Sequence, residues 1–245
     1  MTEEVVAGLL ASAISFVLGL GWSRMREKWR LRVFASIWRP FLARKKVAVV
    51  LTTRAGPYAR STARVSLSEL KAFVSISETL DKLKLVAIPI GSDCRLDEIS
   101  GEQLILLGGP AANSVTAEIW RLIEGRLPFA FDSKTSSLAC SGRVYSPEVD
   151  SEGHLVKDYA VIMRASAPFA SRRPMLLCCG CHGFGTLGAA IAITDRVSAR
   201  RLSRSVAATQ DFCAVLEIAI RHGAIGPPVV RELFVLPPLA PGHGE

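Results

Sequence analysis

Two glycine-rich stretches are where this chain offers backbone chemistry to a ligand. Gly108-Gly109-Pro110-Ala111-Ala112-Asn113 and Gly180-Cys181-His182-Gly183-Phe184-Gly185-Thr186 each leave an apolar run and lead into a segment with helical character. Glycine lets another group approach the backbone closely, and a helix start offers unpaired N–H groups and the positive end of the helix dipole. Such a junction suits an anion of phosphate size. Gly108, Gly109, Asn113, Gly180, His182, Gly183, Gly185 and Thr186 are therefore the candidate ligand-binding residues. Asn113 can cap the helix after the first stretch, and Thr186 adds a hydroxyl near the start of the second. The same glycines have a plainer use in tight turns and close helix–sheet packing.

Other chemistry-bearing residues point less clearly. Neither stretch is a P-loop, and Gly180-x-x-Gly183-x-Gly185 is not the dinucleotide fingerprint. Cys178, Cys179, Cys181 and His182 lie close together, which suggests zinc. Adjacent residues of a strand face opposite ways, however, and no second ligand pair stands elsewhere, so no metal site is expected. Cys181 and His182 are neighbours whose side chains rarely meet as nucleophile and base. Asp132, Asp158 and Arg164 fall near expected strand ends. Asp132 could orient a ribose, but acids in such places are ordinarily solvated. No Gly-x-Ser-x-Gly elbow and no His-Glu-x-x-His occurs. Catalytic residues are thus unassigned, and no motif implies a cofactor.

The elements that would hold these stretches alternate. Lys46–Thr53 and Gln103–Leu107 are short apolar runs of the kind found in buried parallel strands, and Leu85–Ile90 is a third, with Pro89 favouring its end or an edge. Ser66-x-x-Glu69 is a capping box opening a helix to about Leu83, and Ser114–Glu124 is a second helix. From Pro128 to Ser166 the texture turns to β segments with polar turns, an antiparallel insertion or extension. Met175–Cys179 returns to a buried strand, followed by a small-residue helix over Leu187–Ile193, and Phe212–Val235 reads as a hairpin. The expected fold is α/β, a Rossmann-like mostly parallel sheet with an antiparallel β extension and a C-terminal β-hairpin.

Charge separates this domain from what precedes it. Of the 30 Lys and Arg, nine lie between Ser23 and Lys46 beside one acid, whereas residues 47–245 hold 21 bases against 19 acids. The basicity is a local collar, so the net charge of +8 gives little support for a nucleic-acid footprint, and no nucleic-acid partner is expected. The six cysteines suit a reducing compartment better than a disulfide framework. Val5–Trp22 carries no charge and would span ~27 Å as a helix, enough to cross a bilayer once. Glu3 and Glu4 precede it and the bases follow it, which places the domain on the cytoplasmic side of the cell membrane. Trp29, Val33, Ile37 and Phe41 recur every fourth residue among Arg24, Lys28, Arg32 and Arg39. That suits an amphipathic segment on anionic lipid, with packing on the domain or helix-mediated oligomerisation as alternatives. The organisation is a transmembrane anchor over 1–22, a basic juxtamembrane segment over 23–45 and a cytosolic α/β domain over 46–245.

Leu106-Leu107-Gly108-Gly109-Pro110-x-x-Asn113, Asp158-Tyr159-Ala160-Val161-Ile162-x-Arg164 and Gly183-Phe184-Gly185-Thr186 resemble, in the same order, a module of archaeal surface-layer proteins and of scattered bacterial proteins. The resemblance covers roughly residues 100–195. It implies a β-rich α/β module with a structural role and brings no catalytic residues. The expected function is a membrane-anchored sensor or effector whose domain binds a small anionic, nucleotide-like ligand. An enzyme acting in the same crevice and an oligomeric scaffold are the alternatives.

Overall fold

The computed structural model describes Phe16 and residues 36–55, 63–169, 171–207 and 209–237, without the side chains of Ala55 and Ala63. The Val5–Trp22 run and most of the basic segment lie outside the described residues. Among the described residues no helix is long and apolar enough to cross a membrane.

One sheet organises the domain. Its parallel half consists of β1 (Lys46–Leu51), β4 (Val86–Gly91), β5 (Leu104–Leu107) and β11 (Pro174–Gly180), side by side in the order β11-β5-β1-β4. β1 and β5 are buried almost throughout, as strands covered on both faces must be. β4, with Pro89, forms the sheet edge. The antiparallel half continues from β11 through β10 (Leu155–Ser166), with the short β9 (Glu148–Val149) paired to it, to β12 (Phe212–Arg221), which pairs with the two-residue β13 (Ala224–Ile225) and with β14 (Val229–Val235) as the C-terminal hairpin. Phe129–Asp132, Ser137–Cys140 and Arg143–Tyr145 form β6, β7 and β8, a separate three-stranded sheet, so the expected insertion and the expected extension are two different structures.

Helices cover both faces. α1 (Leu67–Lys82) buries Ala72, Ile76 and Leu80 at helical spacing against one face, beside α4 (Gly183–Thr194) and α5 (Arg196–Ser205). α3 (Ser114–Ile123) and the three-stranded sheet cover the other, after the one-turn α2 (Leu96–Ile99). Cys178 and Cys179, adjacent in β11, enter the two opposite cores, as strand alternation requires. α4 starts one turn earlier than the apolar pattern suggests, at Gly183, because its first turn is built from glycines without apolar periodicity. α5 was not expected at all; its sequence RVSARRLSRS buries only Ala199 and Leu202.

The start of the domain also moves. Ile37, Trp38 and Phe41 are fully buried in the core beneath α4, and Trp38 Nε1 donates to Ile193 O at 3.1 Å. The last part of the segment expected to face lipid therefore belongs to the domain. Periodicity shows that a helix has an apolar face but not what covers it.

Candidate functional site

The chain passes from β1 through α1 to β4 on one side, then through α2 to β5 on the other side of β1. The carboxyl ends of β1 and β5 thus flank a topological switch point, where open α/β sheets form their crevice. A cleft of about 420 Å³ lies there. It is lined by Thr52 and Arg54 after β1, Gly108, Gly109, Ala111 and Ala112 after β5, and Gly180, Cys181, His182, Gly183 and Thr186 after β11. Arg64, Val65, Ser66 and Glu69 approach from the start of α1, and Ser136 from the β6–β7 turn.

Both glycine stretches reach this cleft side by side. A Cβ placed on Gly109 would stand 2.9 Å from Cys179 Sγ and 3.6 Å from Gly180 O, so the turns after β5 and β11 touch. Gly108 has φ +95°, a conformation that side chains resist, and its backbone lies against Glu69 and Thr52. The starts of α1 and α4 line it, and so does the Ala111–Ala112 turn that precedes α3. The amides of Gly109, Ala111 and Gly183 donate to no protein group among the described residues. Two positive helix ends and unused N–H donors favour negative charge, and the exposed Arg54 and Arg64 add to it at the mouth.

Of the eight expected residues, Gly108, Gly109, Gly180, His182, Gly183 and Thr186 line the cleft, whereas Asn113 and Gly185 do not. Asn113 is fully buried; its Oδ1 accepts from Thr116 N at 3.0 Å and its Nδ2 donates to Leu107 O at 2.8 Å. It caps α3 and ties the turn to β5. Gly185 is a packing glycine, since a Cβ there would lie 2.8 Å from Gly180 Cα and 2.5 Å from Tyr159 O. Thr186 turns back into the loop, its hydroxyl accepting from Gly180 N at 3.1 Å.

Asp158 is no solvated strand end. It is fully buried beneath the β11–α4 loop and accepts from the amides of Tyr159 at 2.8 Å, His182 at 3.2 Å and Gly185 at 2.5 Å. Burial pushes its carboxyl above the usual range, opposed by those N–H donors. Arg164 is likewise buried, with its guanidinium donating to Ser36 O, Ile37 O, Ala207 O and Gln210 O and stacked on Phe212. Burial pulls its pKa down. Asp132 matches the solvated expectation: it closes its own turn onto Lys134 N and Thr135, outside the cleft lining. Burial raises the Cys181 thiol well above neutral and Cys179 to about 12, so neither is a thiolate at the cleft near neutral pH. Among the described residues no cluster of three His, Cys, Asp or Glu could hold a metal.

The residues that sequence reasoning missed are Thr52, Arg54, Arg64 and Glu69. The loop after β1 carried a usable signal, because every loop leaving a parallel strand gathers at one sheet end. Glu69 carried a misleading one. As the last residue of the Ser66-x-x-Glu69 capping box its carboxylate is expected to return to the Ser66 amide, but it turns inward and accepts from Thr52 Oγ1 at 2.6 Å. Neither the protein-family models nor the curated proteins give a match to this chain.

Proposed function

We propose that this cleft binds a small anionic ligand of nucleotide type and that the protein is a membrane-tethered sensor or effector. The observation that carries the ligand reading is the convergence of two helix starts and unused backbone amides on one cleft, with Arg54 and Arg64 at its mouth. Its volume of about 420 Å³ falls in the ~300–1,000 Å³ range of small-molecule sites. On this reading the parallel half works as a Rossmann-like unit, and Val5–Trp22 with the basic segment is the tether.

The test is thermal melting of the full chain against ADP, CDP, GDP, UDP and pyrophosphate. Ligand at about 100 times its dissociation constant adds ~2.7 kcal/mol, and a domain of this size gains roughly 2–4 °C per kcal/mol. A shift of several degrees that collapses in Arg54→Glu and Arg64→Glu is expected, because both exposed side chains stand at the mouth of the cleft. No shift with any of these probes would sink the reading.

One observation favours an enzyme as the second reading. An imidazole, His182, and a buried carboxyl, Glu69, line the same cleft, and burial raises the Glu69 pKa. Groups of that kind serve acid–base chemistry. Chromatography of each nucleoside diphosphate after incubation separates the two: new products mark an enzyme, unchanged ligand a sensor.

A further inference from the structure

An anion site made of helix starts has no use for a carboxylate, yet Glu69 stands inside it. The side chain is 5% exposed, in a wall of the cleft. Its Oε1 accepts from Thr52 Oγ1 at 2.6 Å, the Ser66 hydroxyl pulls more weakly on the carboxyl, and among the described residues Oε2 is buried with no hydrogen-bond partner. A buried unmade bond at a charged acceptor is costly and is retained where something else completes it. Phosphate cannot complete it, because two anions repel. The missing partner is a donor, a hydroxyl or N–H carried by the ligand.

Position narrows the choice. A Cβ on Gly108 would fall 2.6 Å from both Glu69 Oε1 and Thr52 Oγ1. The carboxylate therefore sits against the turn whose next amides, Gly109 and Ala111, are free for an anion. A ligand filling both presents a hydroxyl or N–H donor beside a phosphate, and in a nucleotide the donors nearest the phosphate are the sugar hydroxyls rather than the base N–H groups. Arg54 and Arg64 lie on the open side, where further phosphate charge would meet them.

We infer that Glu69 is a specificity-determining residue that accepts a hydrogen bond from a ribose hydroxyl, making the ligand a ribonucleotide whose phosphate lies on the amides of Gly109, Ala111 and Gly183. This rests on the anion-cleft reading given above. A polar group left unpaired is what rejects an analogue lacking the matching hydroxyl, and such sites discriminate strongly. Glu69 therefore acts on the sugar and against the bare anion at once. Its removal has opposite effects on the two.

The experiment is calorimetric titration of the full chain with ADP, CDP, GDP and UDP, with their 2′,3′-dideoxy counterparts, and with pyrophosphate. The expected result is one ribonucleoside diphosphate binding at least tenfold more tightly than its dideoxy form. Glu69→Gln should erase most of that difference while binding pyrophosphate as well as or better than the unaltered protein. The ligand-side comparison needs no substitution and stands if the variant fails to fold. Equal affinity for ribo and dideoxy forms, with binding still lost in Arg54→Glu, would overturn the role of Glu69 and leave the anion cleft. Loss of pyrophosphate and nucleotide together in a folded Glu69→Gln protein would overturn it too, marking Glu69 as structural. Absence of binding by every probe would overturn the cleft reading and this inference with it.

Discussion

A buried acceptor left without a donor costs about 1–3 kcal/mol, so neutralising it is favourable unless a ligand depends on it. Glu69 is such an acceptor, and burial raises its pKa against the pull of Thr52 and Arg54. A carboxyl whose folded pKa lies above its unfolded one binds its proton more tightly in the fold. Its penalty is therefore absent below the unfolded value near 4.5 and grows as pH rises through the folded one. Among the described residues, the other charged and titratable groups lining its cleft are Arg54 on β2 (Arg54–Ala55), Arg64 on β3 (Ala63–Arg64), and Cys181 and His182 before α4; of these Arg54 pulls on the carboxyl. Glu69→Gln keeps the shape and removes the charge. Without ligand it should melt about 2–4 °C above the unaltered protein at pH 8, roughly 1 kcal/mol, with the gap closing towards pH 4.5. Differential scanning calorimetry across that range checks it, and a variant less stable at pH 8 would show that the carboxylate supports the fold. A residue that lowers stability where a ligand is expected fits the usual opposition between stability and function.

The β11–α4 loop shows how one side chain sets an element's shape. Asp158 gathers the amides of Tyr159, His182 and Gly185, and thereby places Gly183 at the cleft. Asp158→Asn exchanges one accepting oxygen for an amine that faces N–H donors. A loss of about 2 kcal/mol is expected, together with weaker anion binding, measurable as a lower denaturation midpoint and a smaller ligand shift. Arg164 plays the corresponding part at the other end of β10, joining Ser36 and Ile37 to the turn after α5. Arg164→Met leaves these carbonyls without donors; trypsin should then cut at Arg44 or Lys45 far faster, while the rest of the domain stays folded. Cleavage at the original rate would show that Trp38 and Phe41 hold the segment unaided. The parallel strands and both glycine turns were legible because continuous apolar runs and glycine clusters are local patterns. The burial of Asp158 and Arg164 was not, since a polar residue in an apolar strand is buried or solvated according to partners far away in sequence. α5 escaped for a different reason: its faces are well segregated, but with only Ala199 and Leu202 buried it offers no apolar run to mark it among its arginines and serines.

At the scale of the molecule, the cleft and the chain's entry lie at opposite ends of the sheet. β1 runs from Lys46 to the cleft, and α4 runs back from it over roughly 18 Å to Ile193, where Trp38 is bound. Both ends of α5 are tied at that remote end, through Asp195 to Ile191 O and through Ala207 O to Arg164. On its outer side α5 exposes Arg196, Arg200, Arg201 and Arg204 with Val197, and among the described residues none of the four arginines forms an ion pair. A tether emerging at Ser36 would bring this face to the bilayer and leave the cleft open to solution. Basic residues near an anionic leaflet contribute ~1 kcal/mol each. A chain beginning at Ser36 should therefore cosediment with phosphatidylserine vesicles but not with phosphatidylcholine ones, and salt should weaken the binding. Reversing Arg196, Arg200 and Arg204 to Glu should reduce partitioning by about two orders of magnitude, since three such contacts are lost. Equal partitioning of the reversed variant would place α5 away from lipid and leave the tether alone to orient the domain. Nucleotide affinity should be the same with and without vesicles if the two ends are independent. A change of affinity on vesicles would mean that α4, which touches both ends, carries the ligand's state to the membrane.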